Sequence, residues 1–153
     1  MEMADLLSED AVFISVDGHS KKHALQEISA QAAKVSGLQE RAIFETLNKR
    51  ERLGSTGVGN GIAIPHGKVV NLKTLSALFF RLAAPIDFDA LDGEPVDLVF
   101  VLLAPEDAGA DHLKALAKIA RVLRAEGVAE DLRGAITRGD VFSVLTRAPA
   151  NAG

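Results

Sequence analysis

Asp97-Leu98-Val99-Phe100-Val101-Leu102-Leu103-Ala104 is the stretch that decides the fold. It is β-branched and aromatic residues mixed with Leu, apolar almost without a break. A run of this kind reads as a central strand covered on both faces, because a half-exposed strand would alternate polar and apolar. Leu75 to Leu82 has the same character and predicts a second central strand. Ile86-Asp87-Phe88 is a candidate for a brief strand between them. Further toward the N-terminus, Ile62-Ala63-Ile64 predicts a short strand, and the alternation of Val12, Ile14 and Val16 predicts another, ending at Asp17-Gly18.

Helices alternate with these strands. Ser20 is suited to cap a helix whose apolar residues Ala24, Leu25, Ile28, Ala32 and Val35 recur at helical spacing until Gly37. Glu40 to Arg52 predicts a second helix that buries Ile43, Phe44 and Leu47, with Gly54 as its stop. Around Asp111 a third begins, with a buried stripe of Leu113, Leu116, Ala117, Ile119, Ala120 and Leu123, ending at Gly127. A short helix over Glu130 to Ala135 and a last one over Asp140 to Arg147, capped by Asp140, complete the pattern. The tail, Ala148 to Gly153, is expected to fray. The pattern predicts an α/β fold: a single domain, residues 1–153 with its core at about 6–147, built as a mixed β-sheet flanked by α-helices.

Composition narrows the chemistry. The 153 residues carry a formal net charge of −4, with charges scattered along the chain, so there is no electrostatic case for nucleic-acid binding. With 0 Cys there is no disulfide framework, thiolate zinc site or cysteine nucleophile. The acidic start Met1-Glu2-Met3-Ala4-Asp5 does not read as a secretory signal, and the longest apolar run, Leu98 to Ala104, is too short to span a bilayer. A cytoplasmic protein without membrane insertion is the expectation.

The segment Gly54-Ser55-Thr56-Gly57-Val58-Gly59-Asn60-Gly61 suits neither helix nor strand and is read as a loop. Gly-rich loops can turn backbone N–H groups toward an anion. A nucleotide P-loop does not fit, because no Gly-Lys-Ser/Thr and no helix follow. The dinucleotide fingerprint does not fit either, because the loop precedes a strand and the glycines are wrongly spaced. After that strand comes Pro65-His66-Gly67, where a fixed φ and a permissive glycine are expected to make a turn that presents His66 at a strand end. An ordinary imidazole titrates near pH 6.5, so around neutrality it offers a nucleophilic nitrogen. The hydroxyls of Ser55 and Thr56 and the loop amides at Gly57 and Gly59 are candidates to hold phosphoryl oxygens. Arg50 or Arg52 is a candidate to balance their charge.

Most isolated Pro-His-Gly turns are only polar turns; the conjunction of basic helix end, Gly/Ser/Thr loop, strand and presented histidine favours function. His112, in Gly109-Ala110-Asp111-His112 at a helix start, is on its own a polar first-turn residue, though a helix N-terminus suits a nearby phosphate. His19 and His23 read as solvated. A metal site from His66, His112 and Asp111 has no diagnostic spacing, and neither metal nor cofactor is expected.

The unbroken segment Arg50 to Lys68 resembles the phosphorylation-site signature of the enzyme IIA proteins of the fructose–mannitol class, components of the bacterial phosphoenolpyruvate-dependent phosphotransferase system. The likeness runs over roughly Leu6 to Leu145. Pro85-Ile86-Asp87-Phe88-Asp89-Ala90 and Pro95-Val96-Asp97-Leu98, with this form of the loop, are most similar to the nitrogen-regulatory branch. The resemblance implies the mannitol/fructose-type IIA fold, with His66 as phosphoryl acceptor on Nε2, Arg50 beside the phosphate, His112 close to His66, and Thr56 orienting the site. It implies an HPr-type phosphocarrier as donor and regulatory targets such as sensor kinases or potassium transporters, with roles in nitrogen metabolism and potassium homeostasis. Arg52 stands where many relatives carry Lys or Ser, which keeps both arginines open as phosphate partners. Two other tasks suit the same residues: a sugar-specific IIA component passing phosphate to a fructose or mannitol permease, and a binding module with an unused histidine.

Overall fold

Nine residues, Val96–Ala104, form the strand β6 around which the sheet is organised. Every residue of it except Asp97 is buried. Side chains alternate between the faces of a strand, so burial of consecutive residues requires cover on both faces. The computed structural model describes residues 1–147, and the expected fraying of Ala148 to Gly153 lies outside them. In chain order the elements are α1 (Met3–Leu6), β1 (Val12–Val16), α2 (Lys21–Ser36), α3 (Glu40–Arg52), β2 (Gly57–Gly59), β3 (Ile62–Ala63), β4 (His66–Lys68), β5 (Ser76–Ile86), β6, α4 (Ala110–Arg124), α5 (Val128–Gly134) and α6 (Arg138–Thr146).

The sheet is mixed, in the order β1-β5-β6-β3-β2, with β4 also pairing β6. β5 and β6 run antiparallel from Ser76↔Leu103 to Ile86↔Val96, with an irregularity after Arg81. That irregularity absorbs the separate strand expected at Ile86. Phe79 and Phe100 meet edge-on across this pair, ring centres 6.1 Å apart, and Phe13 of β1 stacks on Phe80 at 5.0 Å. α2 and α3 pack on each other, α2 touches β5, α3 touches β4, and α4 touches β6. No helix among the described residues is long and apolar enough to cross a membrane.

The helix limits follow their caps. The Ser20 side chain accepts the His23 N–H, and Gly37, at φ 76°, ends α2 in the left-handed region. α6 starts earlier than expected: Thr137, not Asp140, is its cap, and the Thr137 hydroxyl accepts the Asp140 N–H. Gly127 caps the start of α5 instead of ending α4, which stops at Ala125. In α4 the fully buried residues are Ala115, Ile119 and Leu123, whereas Leu113 and Ala117 face solvent. Val35 is likewise exposed on α2.

The main departure is at the glycine-rich segment. It is not an open loop but a tight hairpin, β2 against β3, closed by Asn60 and Gly61 at φ 57° and 76°. Two successive positive φ values are the backbone of a hairpin turn, for which Asn-Gly is the favoured pair. Pro65-His66-Gly67 is also not a turn. Ile62↔Leu98, Ala63↔Val99, His66↔Leu102 and Gly67↔Leu103 share one parallel register on β6, so β3 and β4 are two pieces of one line of strand. Gly67 is needed for closeness: a Cβ there would overlap the Thr46 Cγ2 methyl of α3.

Candidate functional site

His66 opens β4, half-buried, with Leu102 of β6 donating its N–H to the Pro65 carbonyl just before it. Its ring is held at both nitrogens. Nδ1 lies 2.8 Å from the Ile64 carbonyl oxygen, and Nε2 lies 3.3 Å from Arg50 Nε. A carbonyl oxygen can only accept and the arginine N–H can only donate. The two partners therefore select the neutral tautomer with its proton on Nδ1 and its lone pair on Nε2. The nucleophilic nitrogen of His66 is thus Nε2, and a guanidinium stands beside it.

Arg50 reaches that position from the last turn of α3, where Lys49, Arg50 and Arg52 cluster at the negative end of the helix dipole. Arg50 Nη1 donates to the Gly54 carbonyl at 2.9 Å, which holds the guanidinium across the end of its own helix. Of the two arginines left open by the sequence, Arg50 is the one that hydrogen-bonds the ring.

His112 comes from the first turn of α4, and its ring centre is 5.7 Å from that of His66, edge to face at 66°. Its Nε2 is buried and has no hydrogen-bond partner among the described residues. Burial holds its pKa below the ordinary imidazole value, and the nearby His66 and Lys68 push it the same way. Near neutrality the ring is therefore uncharged, with one nitrogen uncommitted beside His66. Lys68 shares a face of β4 with His66, two residues on, and it is a cationic member of this cluster that periodicity did not single out.

Ser55 and Thr56, expected to offer free hydroxyls, have other partners. Ser55 Oγ donates to the Phe88 carbonyl at 2.6 Å and accepts the Gly57 N–H at 3.0 Å. Thr56 is 5 % exposed, and its hydroxyl donates to Glu51 Oε2. The Gly57 amide is thus occupied, and a Cβ at Gly57 would strike Ala90. Gly59, at φ 107°, lies under the Asp92 carboxylate. In this structure the glycines permit close packing, and the two hydroxyls brace the hairpin. Asp92 accepts the Asn60 and Glu94 N–H groups, bonds that hold its carboxyl below the usual range. Arg133 clamps the same turn, pairing with Asp97 at 2.9 Å and donating to the Asn60 carbonyl at 2.6 Å.

Glu51 is the residue that sequence reasoning passed over. It is 7 % exposed and pairs with Lys21 at 3.0 Å. Its position was legible as a charged residue on the buried side of α3, four residues after Leu47. Among the described residues no group of three or more His, Cys, Asp and Glu side chains is placed to hold a metal ion.

Comparison with known proteins gives consistent results. Residues 5–148 match the family described as the phosphoenolpyruvate-dependent sugar phosphotransferase system, EIIA 2. The chain is 53 % identical over 152 residues to a nitrogen regulatory protein of Bradyrhizobium diazoefficiens, covering 99 % of both chains. It is 41 % identical to a nitrogen regulatory protein of Klebsiella oxytoca, covering 99 % of this chain and 94 % of that one. Among solved structures, the nitrogen regulatory protein IIA-Ntr of Neisseria meningitidis superposes with a TM-score of 0.88 at 36 % identity, covering 94 % of this chain and 99 % of that one.

Proposed function

The chain belongs to the EIIA 2 family of the phosphoenolpyruvate-dependent phosphotransferase system, among its nitrogen regulatory IIA proteins, and from that premise we propose that His66 Nε2 accepts a phosphoryl group from a histidine-phosphorylated carrier of the HPr type. The observation that carries the reading is the pair of hydrogen bonds to the ring, which leaves Nε2 as the nucleophile beside Arg50. In the transfer, the Nε2 lone pair forms the new P–N bond in line with the breaking one, whose electrons stay on the carrier's imidazole. Such a transfer asks the protein for alignment and charge stabilisation. Ile64 supplies the alignment by holding the ring. Arg50 turns from Nε2 to the phosphoryl oxygens, and Lys68 adds charge. His112 faces the group with its uncommitted Nε2. Thr56 acts at one remove, through the hairpin.

A phosphoryl group adds about −1.5 to −2 charge, by analogy with hydroxyl phosphoesters. Placed at a half-buried histidine on an accessible face, it changes which proteins can dock. In this proposal the protein acts in the cytoplasm mainly as a regulator of nitrogen metabolism and potassium homeostasis. Its two states are read by targets such as sensor kinases or potassium transporters.

The test is intact mass after incubation with phosphoenolpyruvate, enzyme I and an HPr-type carrier. One acid-labile, phosphate-sized gain is expected in wild type and in His112→Ala, and none in His66→Ala. A gain that survives His66→Ala, or no gain with carriers of either the sugar or the nitrogen branch, overturns the proposal.

A further inference from the structure

Glu51 lies next to Arg50 in sequence, but its carboxylate is buried where Arg50 is not. A carboxylate taken from water must be repaid with donors. Glu51 has three: Lys21 Nζ at 3.0 Å, the Thr56 N–H at 3.0 Å, and the Thr56 hydroxyl. Lys21 in turn sits over the Phe88 ring, 4.8 Å from its centre, and the Phe88 carbonyl accepts from Ser55. One carboxylate thereby ties the start of α2, the last turn of α3, the entry to the β2–β3 hairpin and the segment after β5. Buried ion pairs are generally no more stabilising than apolar packing of the same shape, so stability alone does not account for a charge here.

What the arrangement controls is the pair of groups that hold His66. Thr56, gripped at N–H and hydroxyl by Glu51, uses its carbonyl to accept the Ile64 N–H at 3.0 Å. The Ile64 carbonyl is the acceptor that fixes His66 Nδ1. Gly54, between Glu51 and Thr56, donates its N–H to the Glu51 carbonyl at 3.1 Å and offers its own carbonyl to Arg50. Arg50 is the donor at His66 Nε2. The Nδ1 side of the ring is therefore referred to the Glu51 carboxylate through Thr56 and Ile64, and the Nε2 side to the Glu51 main-chain carbonyl through Gly54 and Arg50.

We propose that Glu51 is a positioning residue for phosphoryl transfer: its carboxylate, through Thr56, sets the Ile64 carbonyl, and so the tautomer and aim of His66. This rests on the acceptor reading given above. It makes Thr56 and Lys21 parts of the same device, Thr56 as the relay and Lys21 as the counter-charge beside the carboxylate. Glu51→Gln keeps the shape and removes the charge. The glutamine amide cannot accept from both Thr56 groups and pair with Lys21.

The experiment measures two things on Glu51→Gln, each beside its melting curve. The first is the nitrogen-15 shifts of the His66 ring in the unphosphorylated protein, which report the tautomer. The second is the rate of carrier-dependent phosphorylation, in wild-type and Arg50→Ala backgrounds. The expected result is a cooperative melt, a mixed tautomer at His66, and phosphorylation roughly ten- to a hundredfold slower, the range for a sub-ångström to one-ångström misalignment. The loss should be of similar size in the Arg50→Ala background, because the route through Thr56 and Ile64 does not pass through Arg50. A lower melting temperature with the tautomer and rate unchanged would show a merely structural role and overturn the proposal. If Glu51→Gln does not fold, Thr56→Val, which keeps the backbone bond to Glu51, must show the same tautomer mixing, and a single tautomer there is equally fatal. Failure of wild type to accept phosphate would overturn the acceptor reading, while the ring shifts would still decide the role of Glu51.

Discussion

At the scale of single residues the site turns on which imidazole nitrogen is free. His66 has both nitrogens engaged and His112 has one that is buried and without a partner. The lowered pKa of His112 makes this pairing testable by pH. Between its folded value and the ordinary 6.5 of an unfolded histidine, the unfolded chain binds more protons than the folded one. Stability therefore rises with pH through that window, and it is lost as pH falls through the folded value. Chemical denaturation between about pH 5 and 7.5 should show this slope, and His112→Asn should flatten it. Burial keeps lowering the His112 pKa, but phosphorylation of His66 should raise it from that lowered value, because a dianion then stands beside the ring. Proton NMR of His112 before and after carrier-dependent phosphorylation reads it directly. A His112 pKa that stays put or falls further would mean that its ring does not face the phosphoryl group.

At the scale of elements, periodicity alone identified what is buried on a large scale. The two central strands, α2 and α3 stand close to their expected limits because each is an unbroken apolar run or a capped 3.6-residue pattern. The site was less legible. β2 and β4 are three residues each and carry glycine, so no apolar alternation marks them. What marked the hairpin was Asn60-Gly61, a turn signal hidden among other glycines. The motif singled out His66, but its setting was misread as a turn, since only the pairing with β6 shows that Gly67 continues a strand. The exposed Leu113 escaped because an apolar residue at a helical spacing looks buried until the neighbouring element is placed. Gly67 yields a prediction at this scale. Its backbone is not in the left-handed region, so Gly67→Ala fails through contact with the Thr46 methyl of α3. Overpacking of this kind costs about 1–3 kcal/mol and displaces the strand that carries His66. Thr46→Ser removes the obstructing methyl. Denaturant melts of the single and double variants should show most of the stability restored in the pair. No restoration would mean that the glycine answers to something other than α3.

For the molecule as a whole, the transfer proposed above dictates what must be covered. Two imidazoles can exchange a phosphoryl group only when the donor histidine lies in line with His66 Nε2, so the carrier's surface has to overlie the residues flanking it. Those residues are unusual in a chain of net charge −4. Arg50 and Lys68 stand at the two histidines, Lys49 and Arg52 share the last turn of α3 with Arg50, and Leu53 and Leu113, 82 % and 69 % exposed, follow that turn and His112 in the chain. The basic groups suit a surface that receives a phosphoryl dianion, and the two leucines are the apolar area that water-exclusion at the contact requires. Leu113→Asp tests this without touching the chemistry. The side chain is already in solvent, so the melting temperature should stay within a degree or two, about the shift expected from a few tenths of a kcal/mol. Loss of one central apolar contact costs on the order of 1–2 kcal/mol of binding, or about a tenfold rise in the carrier's KM. The kcat should change little, because His66, Arg50 and Ile64 keep their places. Steady-state transfer kinetics at several carrier concentrations separate these terms. An unchanged KM would place the carrier on the Leu53 side of His66, where Leu53→Asp should then produce the effect. If neither variant changes KM, the carrier buries neither leucine, and its contact with this face rests on the basic groups alone.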